Sequence, residues 1–126
     1  MSSYEDVVNY LKSYRELKYN IEFYRNKMGG LKAISYSQEE KGTSMQDTMS
    51  LYMQKIEDAE TTMKIIEEFI EINFDGIERL AIWNRYINFD KLDKIAKDLN
   101  YSRSGISKII STAIENYVFA INCIQK

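Results

Sequence analysis

The stretch from Lys91 to Ser111 contains the residues whose types and spacing best suit a chemical role. It reads KLDKIAKDLNYSRSGISKIIS, two helical patterns separated by a turn of three or four residues, which is the layout of a helix-turn-helix. Ala96 is small enough for a second helix to approach the first, and Ile106 lies where that second helix folds back. We expect Ser102 to cap the second helix.

The polar face of the second helix is suited to a polyanion. Its inward positions are Ile106, Ile109, Ile110 and Ala113, and its outward positions are Arg103, Ser104, Ser107, Lys108 and Ser111. No acid occurs between Asp98 and Glu115. The helix dipole and free N–H groups attract anions, short serines allow close approach, and the arginine and lysine can reach base edges or phosphates. The prediction is a surface for double-stranded DNA, with Gly105 either allowing close backbone approach or relieving a contact with the preceding helix.

Other cations have weaker claims to a DNA contact. Lys91, Lys94 and Lys97 on the first helix of the motif would meet the DNA backbone, although such lysines more commonly only add solubility. Arg79 and Arg85 are weaker candidates still. The alternative interpretation of the whole segment is a small helical domain with a solvated Ser/Lys face.

Two heptad patterns precede this motif and predict the elements that carry it. The first seam is Val7, Tyr10, Tyr14, Leu17, Ile21, Tyr24, Met28 and Leu31. The second seam is Met45, Met49, Tyr52, Ile56, Ala59, Met63, Ile66 and Ile70. They predict helices over about 3–28 and 45–72, joined by a loop over 29–44.

Local signals set the ends of these two helices. Ser2 with Glu5 and Ser44 with Asp47 resemble capping pairs, and Gly29-Gly30 is a stop signal. The simplest arrangement is an antiparallel, coiled-coil-like hairpin within one chain. Because methionine and tyrosine give a soft seam, pairing with a second chain as a homodimer or higher oligomer is left open.

Residues 74–126 have a different pattern and form the second expected domain. A helix over about 14 residues from Phe74 leads to a turn in which Asp90 is the expected N-cap, then to the short and long helices of the motif. Trp83 and Cys123 are expected in the core. The fold class is therefore all-α, with a helical hairpin arm over 1–73 and a helix-turn-helix bundle over 74–126.

Composition excludes several classes of function. The 126 residues include no histidine and one cysteine, so catalysis, a metal site and a cofactor are not expected. The cluster Glu67, Glu68 and Glu71 is expected on a solvated outer face. No apolar run approaches the length of a membrane span, and the N-terminus has no apolar signal region. A cytoplasmic protein is expected.

Net charge limits where DNA could bind. Residues 1–73 hold nine Lys and Arg against thirteen Asp and Glu, whereas residues 74–126 hold eight against six. Since the whole chain has a net charge of −2, any DNA-binding surface must be local.

The stretch from Ile82 to Ala113 resembles sigma-factor region 4, in which an L-x-x-I-A-x-x-L helix is followed by a Y-S turn and a recognition helix. The whole chain is similar to phage late-gene transcription regulators of the ArpU/RinA kind. The loop element is carried by Ile34, Ser35, Tyr36, Ser37, Lys41 and Gly42, and Glu40 stands where that pattern has proline.

The resemblance implies a DNA-binding activator of phage or prophage genes, acting in a bacterial host cell and contacting host RNA polymerase. The DNA-contacting positions it implies are Ser102, Arg103, Ser104, Ser107 and Lys108. Two rival hypotheses remain: a protein like the phage terminase small subunit, which would form a ring, and a helical protein-interaction module that does not bind DNA.

Overall fold

The computed structural model describes residues 3–35 and 42–124, with side chains for 3–30 and 46–124. These residues form five helices and no strand, which confirms the all-α prediction. The helices are α1 (Tyr4–Ser35), α2 (Gly42–Asn73), α3 (Gly76–Tyr86), α4 (Leu92–Leu99) and α5 (Arg103–Ile124). Within these ranges, no helix combines the length and apolar character that crossing a bilayer requires.

The chain divides into two compact units, and α1 and α2 contribute to both. One unit runs from Glu16 to Lys64. The other joins the beginning of the chain, up to Arg15, to everything from Ile65 onward. This division differs from the expected boundary between residues 73 and 74, because the first turns of α1 and the end of α2 share a core with α3, α4 and α5.

The unit from Glu16 to Lys64 is the paired part of the hairpin. Ile21, Ile56 and Ala59 are buried together, and the half-buried residues packed against them are Leu17, Tyr24, Met28 and Met63. The Tyr24 and Tyr52 rings lie 5.4 Å apart. These are seam positions of both heptad patterns, so the predicted seams pair within one chain.

The other unit has the larger core. Its fully buried residues include Val7 and Leu11 of α1, and Ile66 and Ile70 of α2. The core residues that the three C-terminal helices contribute include Ala81, Ile82, Ile95, Ala96, Ile106, Ile110, Ala113 and Ile114. Leu11 lies beside the predicted seam rather than on it, and its complete burial shows that α1 is covered on more than one face here.

Aromatic rings connect the hairpin helices to α5 in this unit. Phe69 of α2 packs edge-on against Tyr10 of α1 and against Tyr117 of α5, each with ring centroids 5.2 Å apart. Phe74 closes the group, 6.0 Å from Phe69 and 6.1 Å from Tyr117. Edge-to-face pairs of this kind add to the stabilisation from burial alone.

A buried tyrosine ties α1 to α2 in the same unit. The Tyr14 hydroxyl donates to Oε2 of Glu67 at 2.9 Å. Burial, together with this hydrogen bond to a carboxylate, raises the pKa of Tyr14 to about 12. The expectation that Glu67 lies on a solvated outer face is therefore wrong, whereas Glu68 and Glu71 are exposed as expected.

The predicted loop over 29–44 is wrong in its bounds. α1 continues through Gly29 and Gly30 to Ser35, and α2 begins at Gly42, ahead of the expected Ser44 cap. Two glycines cost a helix about 1 kcal/mol each, and the packing of Tyr24 and Met28 offsets that cost. Of the loop element, Ile34, Ser35 and Gly42 are helical, whereas Tyr36, Ser37 and Lys41 lie outside the described residues.

Four smaller expectations concern caps and core residues. Ser2 lies outside the described residues, and it is Ser3 whose Oγ accepts from the Asp6 N–H at 3.1 Å. The N-cap of α4 is Lys91 rather than Asp90. Cys123 is exposed, because it lies in the last turn of α5. Trp83 is half-buried in α3.

Replacing both glycines, Gly29→Ala with Gly30→Ala, should stabilise the chain. Neither glycine has a positive φ, and a Cβ at either position meets nothing within 4 Å. Alanine should therefore add about 0.5–1 kcal/mol at each site to the free energy of unfolding, measured by urea denaturation followed by far-UV circular dichroism. A loss of stability would show that the glycines end the helix after all.

The Tyr14–Glu67 contact makes stability depend on pH in the alkaline range. Because the pKa of Tyr14 in the folded chain, about 12, exceeds its ordinary value of 10.0, the stabilisation is complete below pH 10 and is lost as the pH rises to 12. Over that window, wild-type stability should fall more steeply than that of Tyr14→Phe in urea titrations. Tyr19→Phe, an exposed control on α1, should retain the wild-type profile because Tyr14 is still present.

Candidate nucleic-acid interface

The first helix of the motif, α4, forms because its apolar residues share one face. Leu92, Ile95, Ala96 and Leu99 have helical spacing, and Ile95 and Ala96 are buried. Asp93 in the first turn and Lys97 in the last turn complement the helix dipole. The expected role of Ala96 as a small contact residue in the core is confirmed by its burial.

The turn after α4 ends the helix in a defined way. Asn100 adopts the left-handed conformation, with φ 62 and ψ 45, which asparagine tolerates better than most residues. The N–H of Tyr101 donates to the carbonyl of Ala96 at 2.8 Å, and the N–H of Asn100 donates to that of Lys97 at 3.4 Å. These two bonds form a Schellman motif, so the direction of the chain leaving α4 is fixed by backbone bonds.

Ser102 begins the second helix, α5, as predicted. Its Oγ accepts from the N–H of Gly105 at 3.0 Å and lies 3.3 Å from the hydroxyl of Ser104. A Cβ on Gly105 would lie 3.0 Å from this same Oγ. Gly105 therefore relieves a close contact with the capping serine and not, as expected, with the preceding helix. Close approach of its backbone to DNA stays a prediction.

The predicted faces of α5 are largely as expected. Ile106, Ile110 and Ala113 are buried and Ile109 is half-buried. The exposed residues of the predicted contact set are Ser102, Arg103, Ser104, Ser107 and Lys108. Ser111 departs from this set because it is half-buried and its Oγ accepts a hydrogen bond from the Tyr4 hydroxyl at 3.3 Å.

The cations near this face differ in their partners. Nε of Arg103 lies 3.7 Å from Oδ1 of Asp93, and both side chains are mostly exposed. Lys94 contacts Asp98 at 3.2 Å and Asp90 at 3.4 Å. Hydrogen bonds to these two carboxylates, first Asp98 and then Asp90, raise the pKa of Lys94. Lys94 is thus a poor candidate for a DNA contact, since two acids already neutralise it.

Lys108 lies on the other flank of α5. It lines a cavity of about 290 Å³ with Ile77 and Glu78 of α3, where Gly105, Ile109 and Thr112 complete the wall. Among the described residues Lys108 has no ion-pair or hydrogen-bond partner. Arg103 and Lys108 therefore stand on opposite sides of the exposed face, one toward α4 and the other toward α3.

The loop before α4 holds the motif against α1. Phe89 has a φ of 60, a conformation that costs a bulky residue about 1–3 kcal/mol. Its ring lies 6.2 Å from that of Tyr14, and the Arg15 guanidinium lies 5.3 Å from its centroid. These contacts offset the strain and connect α1 to the start of the motif.

The weaker arginine candidates have structural roles. Arg85 Nη1 donates to the carbonyl of Asp90 at 3.1 Å. Arg79 donates through Nε to the carbonyl of Phe74 at 2.8 Å and pairs with Asp75 at 3.0 Å. Both therefore stabilise the ends of α3. Lys91 and Lys97 are exposed on α4.

The described residues offer no alternative metal chemistry at this site. No group of three or more Cys, Asp or Glu side chains in the described part of the chain is arranged to hold a metal ion. Asp90, Asp93 and Asp98 instead pair with Lys94 and Arg103. The arrangement can bind an anionic partner through the exposed N-terminal face of α5.

Sequence reasoning missed Asp93. Its spacing from Arg103 gives no local signal, because the two residues are ten positions apart with a turn between them. Comparison with protein-family models, with curated proteins and with solved structures gives no match for this chain.

Loss of the Ser102 cap should weaken this unit specifically. Ser102→Ala leaves the Gly105 N–H without its acceptor and should lower the free energy of unfolding by about 1 kcal/mol. The chain has a single tryptophan, Trp83, so urea denaturation followed by its fluorescence reports on this unit. Ser107→Ala, an exposed change within the same helix, should lower stability little or not at all. An equal effect of both variants would contradict the capping role.

Proposed function

We propose that this protein is a sequence-specific DNA-binding transcription regulator that reads the major groove with the N-terminal part of α5. The observation that carries the proposal is the exposed face formed by Arg103, Ser104, Ser107 and Lys108, on a helix whose start is fixed by the Ser102 cap. No acid occurs in this helix before Glu115. The burial of Ile106 and Ile110 fixes which residues point outward.

The roles of the individual residues follow from their chemistry. Arg103 and Lys108, on the two flanks of the face, have the reach for base edges or phosphates. Ser104 and Ser107 are short and allow the helix to lie close to the DNA. The hydroxyl of Ser102 accepts from Gly105, yet its own hydrogen can still be donated to a phosphate. Ser111 is left out, since it packs against Tyr4.

The biological task is a narrower proposal that rests on the sequence resemblance. A regulator of the ArpU/RinA kind would activate phage or prophage genes and contact host RNA polymerase. If two copies bind one site, their recognition helices would meet half-sites about one DNA turn apart. Catalysis forms no part of the proposed function.

Selection of binding sites from random duplex DNA tests the proposal. The wild type should enrich a defined sequence, and Arg103→Ala with Lys108→Ala should abolish the enrichment. Arg103→Ala alone should weaken the binding free energy at the selected site by about 1–3 kcal/mol if Arg103 contacts a base. An equal loss of affinity for all DNA sequences would show that Arg103 contacts a phosphate instead.

A matched control removes the same charge elsewhere. Lys12→Ala with Lys64→Ala changes two exposed lysines outside the motif and should leave the selected sequence unchanged. Binding should weaken as salt rises. Failure of the wild type to enrich any sequence or to bind DNA at low salt would overturn the proposal and favour a protein-interaction role, whereas DNA binding by a ring of many copies would favour the terminase-like alternative.

A further inference from the structure

An acid lies beside the proposed recognition arginine. Oδ1 of Asp93, in the first turn of α4, is 3.7 Å from Nε of Arg103, the first residue of α5. The two side chains are 74% and 69% exposed. An exposed ion pair of this kind contributes little to folding, so any stability that Asp93 supplies comes from its place in the first turn of α4 rather than from Arg103.

The same acid is unfavourable for DNA binding in general. A carboxylate next to the binding face repels phosphates and lowers attraction to every sequence alike. Asp90 and Asp98 are occupied by Lys94, whereas Asp93 is turned to Arg103. An effect of Asp93 on the direction of the Arg103 guanidinium would offset this cost.

The atoms involved suggest that role. A guanidinium has one side that includes Nε and an end formed by Nη1 and Nη2. Asp93 meets Nε, which leaves the two terminal nitrogens for another partner. Two parallel N–H donors match O6 and N7 of guanine in the major groove, and arginine forms this pair more than any other specific contact.

We propose that Asp93 positions the guanidinium of Arg103 so that Arg103 reads a guanine. This inference rests on the proposed DNA-binding function. Asp93 is a positioning residue that acts through Arg103, and the ligand feature it selects is a G·C pair at one place in the binding site. Without Asp93, the arginine keeps its charge but loses the acid that favours this direction, so binding becomes less selective rather than simply weaker.

The experiment compares base preferences rather than affinity alone. The wild type is first used to select a site from random duplex DNA. The position at which Arg103→Ala loses base preference is then identified. Duplexes with each of the four base pairs at that position are titrated with each variant. Asp93→Asn should lower the preference for G·C by at least about fivefold, the smaller end of what one bidentate contact supplies, while binding to the other duplexes stays equal or becomes tighter.

Three further variants separate positioning from charge. Asp98→Asn removes the same charge from α4 but at a residue paired with Lys94, and should keep the G·C preference. Asp93→Glu should retain most of it. In the Arg103→Ala background, Asp93→Asn should change base preference no further.

The results distinguish this inference from the proposed function. If the wild type selects a site and Asp93→Asn keeps the full G·C preference, the inference is overturned and the function stands. The inference also fails if Asp93→Asn alters preference without Arg103, or if the wild-type site has no G·C pair at the Arg103 position. A wild type that selects nothing overturns both.

Discussion

The shared burial of the first turns of α1 with the C-terminal helices is the constraint on which the proposed interface depends. Val7 and Leu11 are completely buried in the same unit as Ile95, Ile106 and Ile114. α3, α4 and α5 contain 11, 8 and 22 residues, and a domain of that size buries too little surface to be stable with ease. The hairpin helices supply the missing apolar surface, so the helix-turn-helix depends on residues at the other end of the chain.

This dependence explains why the hydrophobic periodicity predicted the helices themselves better than it predicted how the helices divide into compact units. The heptad seams correctly identify Tyr24, Tyr52, Ile56 and Ala59 as contact positions, because pairing between two helices follows a local repeat. Leu11 lies off the seam and is nevertheless completely buried. The unit in which it is buried includes helices that begin more than sixty residues later, and a local repeat carries no information about them. Gly29 and Gly30 show the opposite case. They were predicted to end α1, but packing lets the helix continue through them.

The parts of the helix-turn-helix that depend on local hydrogen bonds and helical spacing could be predicted from the sequence. Ser102 caps α5 by accepting from the N–H three residues ahead. Ile106, Ile110 and Ala113 follow the helical period, so all four could be identified from the sequence. Ser111 and Asp93 could not. The half-burial of Ser111 depends on Tyr4, and the contact of Asp93 with Arg103 depends on how α4 and α5 cross. Both are tertiary facts, and both change which residues are available to a partner.

The charge distribution bears on how such a surface would achieve affinity. Lys94 pairs with two acids, Asp90 and Asp98, and Arg103 lies near one, Asp93. This leaves Lys91, Lys97 and Lys108 as the cations around the motif without an acidic partner among the described residues. Salt dependence scales with the number of phosphates neutralised, with a slope of about −0.9 for each. A surface with few unpaired cations therefore gains little non-specific affinity. Under the proposed function, discrimination between sequences would therefore come from directed base contacts. Arg103, on a capped helix face without acids, is the feature of this chain best suited to supply them.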